Sequence, residues 1–181
     1  MNYNLEKFIQ ENKAQKFLFF WGDGNPTTSR ITKTCLSQWY LSPFTVDEIT
    51  YQTAEHWMMA KKASLFNDED TLAKILKAKS PAEAKKLGRE VKNYSDELWL
   101  RNRYQIVKQG NYYKFIQHPK LKEFLQQTQK RVLVEASPND TIWGIGLTHD
   151  HPNATIPEKW NGLNLLGFAL MEVRDELIKT K

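Results

Sequence analysis

Glu55 and Lys62 stand seven residues apart in Thr53-Ala54-Glu55-His56-Trp57-Met58-Met59-Ala60-Lys61-Lys62. At about 100° per helical residue that spacing returns to nearly the same face, so a carboxylate and an amine would point the same way from one rigid element. Apolar surroundings raise a carboxyl pKa and a nearby ammonium lowers it, and the balance decides whether Glu55 serves as acid or base. Trp57, Met58 and Met59 give the segment a strong drive to bury. The competing reading is a solvated helix face: glutamate and lysine usually stay exposed, and Lys61-Lys62 is the kind of pair that marks a wet surface. On helix composition alone that reading is the commoner one.

A second concentration is Asn139-Asp140-Thr141-Ile142-Trp143-Gly144-Ile145-Gly146. Pro138 and Asn139 favour a turn that would display Asp140, while the two glycines let backbone approach a ligand closely. Trp143 offers a face for a planar ring, or a packing group. The Gly144-Ile145-Gly146 pair lacks the third glycine of a dinucleotide fingerprint. Gly88-Arg89 reads either as a guanidinium offered to phosphate or as a helix stop followed by a surface charge. His149 and His151 lack the further ligands that a metal site needs, so no metal and no cofactor is expected. Cys35, with no adjacent histidine, reads as a small packing group.

These residues need elements to hold them. Leu5, Phe8 and Ile9 predict a short amphipathic helix, an appendage over residues 1–14. Residues 17–21 predict a buried strand stopped by Gly22, Gly24 and Pro26, with a polar loop to about Cys35. Two short strands, 44–46 and 49–51, should flank Asp47-Glu48, a poorer hairpin centre than Asn-Gly. Thr53 caps a helix to about Phe66, and Asn67 or Asp68 caps another to about Lys77. Ser80-Pro81-Ala82-Glu83 combines a capping box with proline at the first helical position, and Gly88 should end that helix. Ser95 caps a longer helix carrying Leu98, Trp99, Ile106 and Val107, which ends before His118-Pro119. A short helix follows over 121–127, then a strand over 131–135 and a closing helix over 165–178. The expected fold class is mainly α with a small β component (α+β).

The 181 residues suit a single domain, 1–181, with one core. With 40% hydrophobic and 26% charged residues, the composition is that of an ordered globular chain and argues against disorder. The net charge of +5 permits phosphate-bearing ligands, but 26 basic and 21 acidic residues are too evenly mixed to establish nucleic-acid binding. A single cysteine, no apolar signal region and no membrane-length run lead to the expectation of a cytoplasmic protein.

In order along the chain, Phe19-Phe20, Cys35-Leu36-Ser37-Gln38-Trp39, Thr53-Ala54-Glu55-His56-Trp57, Gly88-Arg89, Asn139-Asp140-Thr141-Ile142-Trp143-Gly144 and Asn164-Leu165-Leu166-Gly167-Phe168-Ala169-Leu170-Met171-Glu172 closely resemble the NADAR (YbiA-like) family over about residues 17–178. The resemblance implies a compact single-domain helical fold that hydrolyses N-glycosidic bonds to ribose. It implies substrates that are ribosylated intermediates of riboflavin synthesis or guanine carrying ADP-ribose. Carried over residue by residue, it marks Glu55, Lys62 and Asp140 as catalytic. It marks Phe20, Ser37, Gln38, Trp39, Arg89, Trp99, Trp143, Gly144 and Asn164 as substrate-binding.

Within that resemblance, Glu55 would be the principal acid/base and Asp140 the carboxylate that holds ribose or stabilises developing positive charge. Trp143 and Trp99 would wall the pocket, Arg89 would meet phosphate, and Asn164 would bond the ribose or fix the loop. Lys62 has two open roles, charge balance or a Schiff base to the open-chain sugar. Riboflavin-linked members have Ser-Asn-Phe where this chain has Ser37-Gln38-Trp39, and a shorter preceding loop. The longer amide, larger ring and longer loop lean towards removal of ADP-ribose from guanine in DNA, RNA or nucleotide, with an ADP-ribosyltransferase as the activity opposed. The alternatives are hydrolysis of ribosylaminopyrimidine phosphates and a non-catalytic ADP-ribose or nucleic-acid reader.

Overall fold

The computed structural model describes residues 2–11, 15–22 and 30–179. Gly24, Pro26 and part of the loop expected before Cys35 lie outside the described residues. Among the described residues the chain is mainly helical, with seven α-helices and four short strands, as the sequence pattern predicts. It divides into two compact units, residues 38–117 and residues 1–37 with 118–181. No described helix is long and apolar enough to cross a membrane.

The 38–117 unit is built around α2, Ala54–Leu65. An antiparallel hairpin of β2, Phe44–Val46, and β3, Ile49–Tyr51, leads into it. Both turn residues are left-handed, with φ of 50° at Asp47 and 64° at Glu48. Left-handed backbone costs roughly 1–2 kcal/mol per ordinary residue. Aromatic packing offsets it: Phe44 stacks on Tyr51 at 5.8 Å between centroids, and Tyr51 meets buried Trp57 edge-on at 5.0 Å. Such pairs add about 0.5–1.5 kcal/mol each beyond burial.

Thr53 caps α2 by accepting from the His56 N–H, and Asp68 caps α3, Glu69–Leu76, by accepting from the Thr71 N–H. Helix α4 is Pro81–Arg89, capped by Ser80, whose hydroxyl accepts from the Glu83 N–H at 3.1 Å. It corrects one expectation, because Gly88 does not end the helix but lies inside it. A Cβ at Gly88 would sit 2.0 Å from the Met59 sulfur. The glycine is there for the close approach of α4 to α2 rather than for a left-handed turn. Helix α5, Asp96–Gln117, also packs on α2 and runs up to His118-Pro119.

In the other unit α1, Leu5–Glu11, brings Phe8 within 6.0 Å of the Phe168 ring and 6.3 Å of Trp160. Strand β1, Phe17–Phe20, pairs in parallel with β4, Val132–Glu135, in the register Phe17↔Val132 to Phe20↔Glu135. Helix α6, Pro119–Gln127, packs on α7, Leu165–Lys179, and α7 packs on β4. Leu166, Phe168, Leu170, Val173 and Leu177 are fully buried along α7. Each such side chain contributes about 1.5–3 kcal/mol relative to exposure. The hairpin lies between β1 and β4 in sequence, yet it forms a two-stranded sheet separate from the β1–β4 pair.

Candidate functional site

In the 38–117 unit Glu55 occupies the first turn of α2 and is only 2% exposed, which removes the solvated-face reading for this residue. Its N–H donates to the Gln38 carbonyl at 3.0 Å, and the amino end of a helix favours negative charge there. Gln38 is itself buried, and its side-chain Oε1 accepts from Asn111 Nδ2 on α5 at 2.8 Å. The segment before α2 is thus tied to both helices.

His56, next to Glu55, is buried and held at both ring nitrogens. The Ala78 carbonyl can only accept, so Nε2 donates to it at 3.2 Å. The Thr53 hydroxyl then donates to Nδ1 at 2.8 Å. Burial pushes the His56 pKa below the ordinary value, against weaker raising effects of the Ala78 carbonyl and Glu83. A neutral imidazole therefore pins the first turn of the helix that carries Glu55.

Lys62 lies at the far end of α2, and its ammonium donates to the Gly88 carbonyl at 2.7 Å. It also lies 4.5 Å from the centre of the Tyr94 ring and 5.6 Å from that of Trp99. Burial lowers its pKa, and Asp96 acts in the opposite direction. Among the described residues no carboxylate forms an ion pair with it. Two helical turns, about 10 Å of rise, separate Lys62 from Glu55, so a shared face does not make them a contact pair.

The other marked positions of this unit sit near its helices. Trp99 is half-buried on α5, Arg89 is exposed as the last residue of α4, and Trp39 is half-buried with Lys85 5.9 Å from its ring centre. Tyr94 was missed by sequence reasoning because a tyrosine in a polar link carries no periodic signal. Lys114 was missed as well: it is fully buried on α5, 5.2 Å from the Phe115 ring centre and 5.6 Å from that of Tyr40.

In the second unit Asp140 follows the predicted turn at residues 138–139. Its Oδ1 accepts from the N–H of Ile142 at 2.9 Å and of Trp143 at 2.7 Å. Its Oδ2 makes no hydrogen bond among the described residues. One oxygen thus shapes the loop, and the other takes no part in it. Trp143 is half-buried. Gly144 is a place of close approach, where a Cβ would lie 2.8 Å from the Glu135 carbonyl.

Asn164 has φ of 52° and is fully buried. Its Nδ2 donates to the Leu133 carbonyl at 2.9 Å and its Oδ1 accepts from the Glu135 N–H at 3.0 Å. Both ends of the amide therefore bind β4. Phe20 is 1% exposed and packs as a core ring, while Ser37 and Cys35 are buried. His151 Nδ1 accepts from the Asn153 N–H at 3.1 Å, a local turn contact.

The NADAR domain profile matches residues 19–178. The chain belongs to the NADAR family. A NADAR relative, N-glycosidase R617 of Acanthamoeba polyphaga mimivirus, is 39% identical over 170 residues, 91% of this chain and 98% of its own length. N-glycosidase YbiA of Escherichia coli K12 is 33% identical over 135 residues, 75% of this chain and 76% of its own length. The NMR structure of E. coli YbiA superposes with a TM-score of 0.71 at 28% identity, covering 93% of this chain and 89% of the other. The maize chloroplastic riboflavin biosynthesis protein PYRR is 34% identical over 141 residues, 74% of this chain but 21% of its own length. NADAR relatives named as N-glycosidases are thus matched along most of their length.

Proposed function

We propose that this chain is a hydrolase of N-glycosyl bonds that cleaves ribose from an exocyclic amine, with guanine carrying ADP-ribose as the substrate. The observation that carries the reading is the burial of Glu55 on the first turn of α2, in a chain whose NADAR relatives are named N-glycosidases. A buried carboxylate has an energetic cost that a surface glutamate does not, and acid/base chemistry gives it a purpose.

Cleavage builds positive charge on the ribose, so the site needs a carboxylate to stabilise an oxocarbenium-like state and a group to protonate the leaving amine or orient water. Glu55 is the acid/base. Asp140 supplies a second carboxylate whose Oδ2 is available to a ribose hydroxyl or the developing charge. Trp99 and Trp143 offer ring faces, and the exposed Arg89 guanidinium, with no hydrogen bond or ion pair of its own among the described residues, suits phosphate. Lys62 either balances carboxylate charge as an ammonium or, as a neutral amine, adds to C1 of the ring-opened riboside and expels the base's exocyclic amine, leaving a Schiff base that water hydrolyses to the free sugar and Lys62.

The preference for ADP-ribosylated guanine rests on Gln38 and Trp39, a longer amide and larger ring than the riboflavin-linked pattern. Hydrolysis of ribosylaminopyrimidine phosphates is the second reading, favoured by the similarity to the maize riboflavin protein. Side-by-side rates on guanine-ADP-ribosylated DNA or RNA and on ribosylaminopyrimidine phosphates test the choice. Faster release of ADP-ribose supports the first substrate, comparable rates remove the preference, and no turnover on either removes the enzyme reading in favour of a binding module.

A further inference from the structure

We infer that Tyr94 is a positioning residue for Lys62, a ring that shuts water away from the amine and keeps it on the Gly88 carbonyl. This deepens the reading of Lys62 as a catalytic group and rests on it. Three neutral groups surround the ammonium: the Gly88 oxygen at 2.7 Å, the Tyr94 ring at 4.5 Å and the Trp99 ring at 5.6 Å. Gly88 and Trp99 belong to helices α4 and α5. Tyr94 does not, since it lies in the link between them, next to Asn93 with its φ of 56°.

Tyr94 is therefore the wall with the least rigid support, and two contacts fix it. Its hydroxyl donates to Asp96 Oδ1 at 2.9 Å, and Phe66 lies 5.2 Å from its ring centre. The residue as a whole is 43% exposed, an unusual placement for a tyrosine whose ring faces a half-buried cation. The arrangement separates the two jobs of the side chain. The ring covers Lys62, and the hydroxyl only latches the ring.

The charged groups that bear on Lys62 are few. Of the elements packed on α2, α4 brings the Gly88 carbonyl and α5 brings Asp96, which raises the Lys62 pKa; α3 and the hairpin bring no charge that shifts it. Burial is the larger effect and lowers it. Removing the ring admits water, which solvates an ammonium better than one ring face does, so the pKa of Lys62 returns upward.

The test is a nitrogen-15 NMR titration of the Lys62 ammonium, assigned with Lys62→Arg, in the wild-type chain, Tyr94→Phe and Tyr94→Ala. Tyr94→Phe should titrate with the wild type, and Tyr94→Ala should titrate higher by about one pH unit. An unchanged titration in Tyr94→Ala overturns the inference, as does an equal shift in both variants, which would assign the effect to the hydroxyl. Turnover is measured separately: a shifted titration in a chain that cleaves no riboside leaves the role of Tyr94 standing and defeats the proposed function instead.

Discussion

The Lys62 ammonium rests on the carbonyl of Gly88, 2.7 Å away, and Gly88 is also the residue that lets α4 close on Met59 of α2. One backbone position therefore sets both the packing of two helices and the place of the Lys62 ammonium. A β-carbon there would meet the Met59 sulfur at 2.0 Å and the Met59 Cβ at 3.2 Å, and the second atom cannot swing aside. Gly88→Ala gains about 1 kcal/mol in helix propensity but incurs overpacking of about 1–3 kcal/mol. We expect a net loss, read as a lower urea midpoint at unchanged m-value.

Glu55→Gln keeps the volume and the backbone bond to Gln38 while removing the ionisable carboxyl on which the proposed hydrolysis depends. The variant should fold with the wild-type circular dichroism spectrum and unfolding midpoint. Its kcat should fall by about 10²–10⁴, the usual contribution of a positioned acid or base. Wild-type turnover in a folded Glu55→Gln chain would remove Glu55 from the chemistry.

Much of this arrangement was legible along the chain because its signals are local. Ser80-Pro81-Ala82-Glu83 identified the start of α4 since a cap and its partner are three residues apart. Thr53 and Ser95 identified starts in the same way, and Asn67 or Asp68 did so for α3, where Asp68 is the cap. Gly88 was misread for the complementary reason: glycine near a helix end usually signals conformational freedom, and only Met59, brought up by tertiary packing, shows that this one is there for space. The parallel pairing of Phe17–Phe20 with Val132–Glu135 joins segments from opposite parts of the chain, a relation that periodicity does not encode. The Gln38–Asn111 and Lys62–Tyr94 contacts are invisible to spacing rules for the same reason. Glu55 itself was ambiguous, because helix composition cannot say which neighbours will cover an acid.

His56 should make the fold sensitive to mild acid. Its folded-state pKa lies below the ordinary value of 6.5, so the unfolded chain binds the proton more readily. The contribution of the neutral ring is complete above pH 6.5 and is lost as pH falls from there through the folded-state pKa. Urea midpoints measured between about pH 7.5 and 5 should decline on the acid side. His56→Gln should flatten that part of the curve, and an equal slope in the variant would place the sensitivity elsewhere.

Asn164→Ala should be among the more damaging single changes in its unit. It leaves the buried Leu133 carbonyl and Glu135 N–H without their side-chain partner, and it forces alanine to a φ of 52°. Each orphaned group costs about 1–3 kcal/mol, so a loss of several kcal/mol is expected. Asn164→Gly tolerates the backbone angle but still loses both bonds. Chemical denaturation of the pair therefore separates the amide from the strain, and nearly equal, large losses would assign the effect to the amide.

Asp140 holds its loop through Oδ1 alone, and Asp140→Asn separates that bond from the chemical role proposed for Oδ2. The asparagine carbonyl can still accept from Ile142 and Trp143, so the loop keeps its form, while the negative charge and the second acceptor are lost. Asp140→Ala loses the loop bonds as well. If Oδ2 serves a ribosyl substrate, Asp140→Asn should preserve the wild-type Trp143 indole resonance while kcat/KM drops at least tenfold, about 1.4 kcal/mol of transition-state stabilisation. Asp140→Ala should disturb that resonance in addition. Unchanged kinetics in Asp140→Asn would confine Asp140 to holding the loop, because the only group it lacks is the carboxylate oxygen that makes no bond within the described residues.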